Sequence, residues 1–250
     1  MAGMLEGRRA AITGASSGIG EATALALAAE GASLALGARR LDRLEALAAR
    51  IGAEGGTAFP LEADISTEQG ARGFVRDAAE ALGGLDILVN NAGVMLLGPV
   101  EGADGAEWRK MIDVNLLGVL YCTQEAMPLL REGGHGHIVN LSSVAGRTAT
   151  LGVGVYNMTK WGVTGFSEAL RQEAANSRIR VTCVEPGFVD TELQGHNTNP
   201  MVREAIEKVR EQTGEVLEAS DIAAAITYAL SAPQRVNVNE ILVRPTGQTR

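Results

Sequence analysis

Lysine is nearly absent from this chain: three residues against 19 arginines, in a sequence also rich in alanine. That imbalance reads as coding bias and not as function. Cysteine is scarcer still. Cys122 and Cys183 each sit inside an apolar segment, so buried free thiols are expected in place of a structural disulfide. Three histidines, His135, His137 and His196, fall at spacings unrelated to the cysteines and make no metal-ligating set. Positive charge is in deficit, with a net charge of −8 and no basic stripe. Nucleic acid is thereby excluded as the main partner, because phosphate binding needs clustered Lys and Arg. No apolar run approaches the roughly 20 residues that span a bilayer. Residues 1–9 have no signal-peptide core, so a cytoplasmic location is expected.

What is present is a balanced globular composition, 46% hydrophobic and 21% charged, over 250 residues. Short apolar runs recur: Ala10-Ala11-Ile12, residues 33–37, Ile87-Leu88-Val89, Ile138-Val139-Asn140-Leu141, residues 181–184 and Ile241-Leu242-Val243. They are too short for independent helices and suit strands buried on both faces. Helical patterns lie between them; Leu41, Leu44, Leu47, Ala48 and Ile51 repeat at helical spacing around Arg43, Glu45 and Arg50. Ser66 with Gln69, and Asp104 with Glu107, have capping-box spacing, and Ser220 reads as an N-cap before Asp221. Strand–helix alternation predicts an α/β fold: a doubly wound parallel sheet of about seven strands with helices on both faces, the Rossmann arrangement. No linker or repeat divides the chain, so 1–250 is expected to be one domain. The stretch 192–214, polar and then weakly helical, is expected to be a substrate flap.

The first strand runs into Thr13-Gly14-Ala15-Ser16-Ser17-Gly18-Ile19-Gly20 and then an alanine-rich helix. Glycines there allow a tight turn, close approach of backbone to a pyrophosphate, and close helix–strand packing. The phosphates would lie at the positive helix N-terminus. The spacing is Gly-x-x-x-Gly-x-Gly, and taken alone it is equally turn chemistry; its place between strand and helix favours a nucleotide. The second strand ends at Gly37-Ala38-Arg39-Arg40. An acidic residue at this point holds ribose hydroxyls, whereas a guanidinium pairs with a 2′-phosphate. The alternative is a solvated pair at a helix start, where arginine opposes the helix dipole. The reading adopted is NADP(H).

Tyr156 and Lys160 stand four apart at a helix start and share one face. A phenol has a pKa near 10, and a fixed ammonium beside it is expected to lower that value. Such a tyrosine can exchange a proton with a carbonyl or carbinol oxygen. Ser142-Ser143 ends the fifth strand and Asn90-Asn91-Ala92-Gly93 the fourth, at the sheet edge where open α/β folds bind ligands. Asn115 is a polar residue in the largely apolar helical stretch 111–130. It reads either as a satisfied core amide or as part of the site.

In order and spacing, Thr13-Gly14-x-x-x-Gly18-Ile19-Gly20, Asn90-Asn91-Ala92-Gly93, Asn115, Ser143, Tyr156-x-x-x-Lys160 and Pro186-Gly187 resemble the short-chain dehydrogenase/reductase family, over essentially the whole chain. The resemblance implies roles. Tyr156 would be the general acid in reduction, with Lys160 lowering its pKa and holding the nicotinamide ribose. Ser143 would orient the carbonyl, and Asn115 would hold a water of a proton relay. The turn of Gly14, Ser16, Ser17, Gly18, Ile19 and Gly20 would carry the pyrophosphate. Arg39 and Arg40 match the basic position of NADP-preferring members. Asp64 and Ile65 would meet the adenine, with Asn90, Asn91, Ala92 and Gly93 along the adenosine side. Pro186, Gly187, Val189 and Thr191 would lie against the carboxamide. Gly37 to Arg40, residues 93–100, Asp190 to Leu193 and the ending 239–246 look closest to clavulanic acid dehydrogenase-like and NADP-dependent 3-hydroxy acid dehydrogenase-like members.

The expected substrate wall is 144–155 with Met95, Leu96 and the flap, mostly small or apolar, with Thr148 and Thr150 as isolated polar groups. It suits a modest carbonyl or alcohol compound. Arg147, His196 and Arg203 are candidates for meeting a carboxylate. Family resemblance also implies a homotetramer or homodimer. The leading expectation is an NADPH-dependent carbonyl reductase, reversible as an alcohol dehydrogenase. The alternatives are a ketoacyl-carrier-protein reductase, against which the ending at Ile241 to Pro245 counts, and a nucleotide-sensing protein without turnover.

Overall fold

Strand β1 (Arg9–Thr13) shows how the sheet is built. Ala10 and Ile12 enter one apolar cluster and Ala11 the other, because successive side chains on a strand point to opposite faces. Strand β4 (Ile87–Asn90) does the same, with Ile87 and Val89 on the first side and Leu88 on the second. Both faces being covered, these strands carry unbroken apolar runs. The computed structural model describes residues 3–249; residues 1, 2 and 250 of the expected domain lie outside the described residues.

Strands β2 (Ser33–Ala38), β3 (Thr57–Glu62), β5 (His137–Leu141), β6 (Arg180–Pro186) and β7 (Glu240–Val243) complete one parallel sheet in the order β3-β2-β1-β4-β5-β6-β7. Helices α1 (Gly18–Ala29), α2 (Leu41–Ala53) and α8 (Ala219–Ser231) cover one face. Helices α3 (Glu68–Leu82), α5 (Gly118–Glu132) and α6 (Gly154–Ala174) cover the other. This is the doubly wound Rossmann architecture. On α2 the expected stripe buries Leu44, Leu47 and Ile51, each contributing about 1.5–3 kcal/mol. The strand order reverses between β1 and β4, which opens a crevice at their carboxyl ends.

The expected runs mark six of the seven strands. The seventh, β3, is an edge strand with alternating exposure and Pro60 inside it. It needs no continuous apolar run because one of its faces is exposed, and as an edge strand it tolerates proline. Two capping expectations are corrected. Thr67, not Ser66, caps α3 by accepting from the Gly70 amide, while Ser66 turns to Asp64. Glu218, not Ser220, caps α8 in a reciprocal box with Asp221. Asp104 does cap α4 (Gly105–Ile112), through the amide of Ala106. Cys122 and Cys183 are buried free thiols, and burial pushes both up, to about 12 and about 11.

The stretch 111–130 is helical but interrupted by a π turn at Asp113–Leu117, with buried Asn115 at its centre. Residues 192–214 hold a 3₁₀ turn, Glu192–His196, and helix α7 (Pro200–Thr213), capped by Asn199. Buried Asn197 pins this segment to the loop after β4 by accepting from the Leu97 amide at 2.7 Å. Among the described residues no helix is long and apolar enough to cross a membrane.

Candidate active site

The loop from β1 to α1 is shaped by glycine where nothing else fits. Gly14 has φ +68, and a Cβ there would lie 2.7 Å from the Ala92 Cα. Gly18 has φ +57 and faces Thr191; a Cβ at Gly20 would strike the Gly14 carbonyl at 2.3 Å. The strand ends are stitched across the crevice. Thr13 Oγ1 accepts from the amides of Asn91 and Ala92, and Asn91 Nδ2 donates to the carbonyls of Thr13 and Gly14. Ser17 stands at the N-cap of α1 but makes no side-chain capping bond, so first-turn amides remain for an anion.

An open cleft of about 320 Å³ runs over this turn, within the usual size of a ligand site. At one end lie Arg39, Arg40, Asp64 and Ile65, and at the other Ser143, Tyr156, Lys160, Pro186 and Gly187. Every catalytic or cofactor-site residue singled out above lines it except Gly20, Asn90 and Asn115. Gly20 lies beneath the turn and serves close packing. Lys110, Gln194 and His196 also line the cleft. Lys110 and Gln194 escaped the sequence reading because neither belongs to a motif and both arrive from neighbouring helical segments.

At the nucleotide end, Arg40 donates from Nη2 to the hydroxyls of Ser16 and Ser17 at 2.9 and 2.8 Å. Arg39 is exposed. Asp64 accepts from the amide and hydroxyl of Ser66. Burial opposes ionisation of Asp64, but the Ser66 hydrogen bonds and the Arg39 charge together hold its carboxyl below the usual range.

At the reactive end, Tyr156 is buried in the first turn of α6, with the Ser143 hydroxyl near enough to its phenol to act on its titration. Ser143 Oγ also accepts from the Ala145 amide at 3.1 Å. Lys160 Nζ donates to the Leu141 carbonyl at 2.8 Å and stands 5.8 Å from the centre of the Tyr156 ring. Burial pushes Tyr156 up to about 12, against a lowering by Ser143, and pushes Lys160 down to about 8. The expectation of a tyrosine pKa below the ordinary value is thus corrected. Desolvation dominates, and the ammonium is tied to a carbonyl over the ring instead of touching the phenol oxygen.

Asn115 is held at both ends of its carboxamide. Its Oδ1 accepts from the Val94 amide at 2.8 Å, and its Nδ2 donates to the Val94 carbonyl and to Thr159 Oγ1. Both side-chain donors are used, so a water held by Asn115 would donate to one of its carbonyl oxygens. It fastens the loop after β4 to α6. Asn90 is buried behind the cleft, donating to Thr123 and Asn140, a place from which it can only support the cleft and not line it. Of the three candidates for a carboxylate, only His196 faces the cleft. Arg147 donates from Nε to both oxygens of buried Glu185 at 2.9 Å and from Nη2 to Glu240. Arg203 holds the Asn197 carbonyl. Of the expected substrate wall, Met95, Leu96, Ala145, Val153 and Val155 join a separate small apolar cluster with Val94, Met111 and Tyr156, while residues 147–151 are exposed.

Residues 8–202 match the model of the family described as short chain dehydrogenase. A glycine betaine reductase of Emericella nidulans is 43% identical over 244 residues, which is 97% of this chain but 19% of that protein's length. An uncharacterized oxidoreductase of Staphylococcus saprophyticus is 40% identical over 240 residues, covering 95% of this chain and 96% of that one. Among solved structures, an alcohol dehydrogenase from the archaeon Thermococcus sibiricus, complexed with 5-hydroxy-NADP, superposes with a TM-score of 0.86 at 32% identity. The match covers 97% of this chain and 98% of the other.

Proposed function

Because the chain belongs to the short chain dehydrogenase family, we propose that this oxidoreductase is an NADPH-dependent carbonyl reductase, reversible as an alcohol dehydrogenase, acting on a small aldehyde or ketone. The observation that carries the reading is the convergence of the Ser143 hydroxyl and the buried Tyr156 phenol, with Lys160, on one cleft.

The cleft fits the cofactor on its own terms. Free first-turn amides of α1 and the Cβ-free surface at Gly14 and Gly18 suit a pyrophosphate. Arg40, fixed by Ser16 and Ser17, suits a 2′-phosphate. Asp64, Ile65, Asn91, Ala92 and Gly93 are proposed for the adenosine side, and Pro186, Gly187, Val189 and Thr191 for the nicotinamide side. The bound nicotinamide would supply hydride to the carbonyl carbon.

The protein's own share is proton handling and orientation. The Ser143 hydroxyl donates to the substrate oxygen and sets its position. Tyr156, with its pKa near 12, keeps its proton at neutral pH and is therefore a donor to the alkoxide as it forms. Lys160, charged below about 8, stabilises the phenolate left behind. The small apolar cluster beside Tyr156 favours a modest, partly apolar substrate. The segment 192–214 is the proposed substrate flap. Exposed Leu120 on α5 and Met158 and Trp161 on α6 offer apolar surface to a second copy, which supports a homodimer or homotetramer. A cytoplasmic location belongs to the same reading.

The test is Tyr156→Phe with two readouts. Turnover should fall about 10²- to 10⁴-fold while NADPH affinity, measured by titration, stays within about twofold of wild type. Unchanged turnover would remove the phenol from the mechanism.

A further inference from the structure

Arg40 and Arg43 hold one carboxylate between them. Arg40 Nη1 donates to Glu192 Oε2 at 2.8 Å and Arg43 Nη1 to Glu192 Oε1 at 2.7 Å. Glu192 is the first residue of the 3₁₀ turn Glu192–His196, and it follows Thr191, which packs over Gly18. An acidic residue from the flap thus closes on arginines of the nucleotide end, and one of those arginines also holds Ser16 and Ser17.

Three features make this clasp exchangeable. All three side chains face solvent, at 42%, 44% and 49% exposure for Arg40, Arg43 and Glu192, where ion pairs are weak and screened. The two arginines pull the Glu192 carboxyl down to about 2, so it stays charged and physiological pH does not release it. A phosphate monoester offers guanidinium N–H groups the same kind of acceptor as a carboxylate, with more negative charge.

We propose that Glu192 is a specificity-determining residue, an internal anion that competes with the cofactor 2′-phosphate for Arg40, while Arg43 holds the same carboxylate from outside the cleft. It restrains affinity for NADP(H), leaves affinity for NAD(H) alone, and couples use of Arg40 to the hold on the flap's first turn. The proposal rests on the NADP(H) reading above. By reciprocity, whatever draws Arg40 away from Glu192 loosens that turn to the same extent.

Calorimetric titration of NADPH and NADH into wild type, Glu192→Gln, Glu192→Asp and Arg40→Gln tests it at one ionic strength. Glu192→Gln should bind NADPH about two- to tenfold more tightly, with NADH affinity within about twofold of wild type. Glu192→Asp, too short to span both arginines, should fall between. NADPH affinity that is unchanged or weaker in both variants, with wild type still preferring NADPH to NADH, would overturn the competition and leave the cofactor reading standing. A wild type that binds both cofactors equally, and is indifferent to Arg40→Gln, would overturn that reading and this proposal with it.

Discussion

Each end of the cleft is clasped by an arginine and a glutamate, and the two clasps are built differently. At the reactive end, Arg147 meets Glu185, which is wholly buried at the end of β6 directly before Pro186. That clasp ties the turn after Ser143 to the strand that carries Pro186. At the nucleotide end, Arg40 and Arg43 meet Glu192 in contact with solvent. Burial makes the difference: breaking the first pair strands a desolvated charge, whereas water replaces the partners in the second. One clasp holds the chemistry still, and the other can let go. The titrating groups divide the same way. Burial shifts Tyr156 up and Lys160 down, while hydrogen bonds and nearby charge lower Asp64 and Glu192.

The sharpest way to break this contrast is to remove one arginine from each clasp. Arg147→Met should destabilise the fold by about 2–4 kcal/mol, the cost of an unpaired buried carboxylate discounted for the partial exposure of Arg147. Arg43→Met should leave the denaturant midpoint where it was. Equal midpoints for the two variants in chemical denaturation would erase the distinction.

A smaller effect is expected from pH. Tyr156 holds its proton up to about 12, but Lys160 loses its charge above about 8. The reductive rate at saturating substrate should therefore be flat below pH 8 and fall, by about tenfold per unit at the steepest, as pH rises further. Salt, in contrast, should act at the open end on cofactor affinity. A reductive rate that climbs between pH 8 and 10 would mean that a phenolate, and not a phenol, limits the reaction.

Most of the architecture was legible because burial on both faces writes itself as apolar runs, as in Ile87-Leu88-Val89. Strand β3 was not, since an edge strand alternates and tolerates Pro60. Caps were ambiguous wherever polar side chains crowd together, as at Ser66 and Thr67. In the site, the glycine turn, Ser143, Tyr156 and Lys160 could be read in advance because local spacing and strand ends determine where they lie. The partners of Arg40, Arg147 and Asn115 could not, because each is met by a distant segment; Arg40 and Glu192 are 152 residues apart. Nor does spacing report desolvation, which is why Tyr156 and Lys160 looked like a low-pKa phenol beside its ammonium.

The central claim is that the buried phenol and the arginine-lined turn serve one reductive reaction. Its most direct test is NADPH absorbance during incubation with small aldehydes, simple ketones, β-keto esters and thioester mimics, with NADH in parallel. NADPH should be oxidised by a small aldehyde or ketone, and faster than NADH. Tight NADPH binding with no oxidation by any of these compounds would contradict that claim.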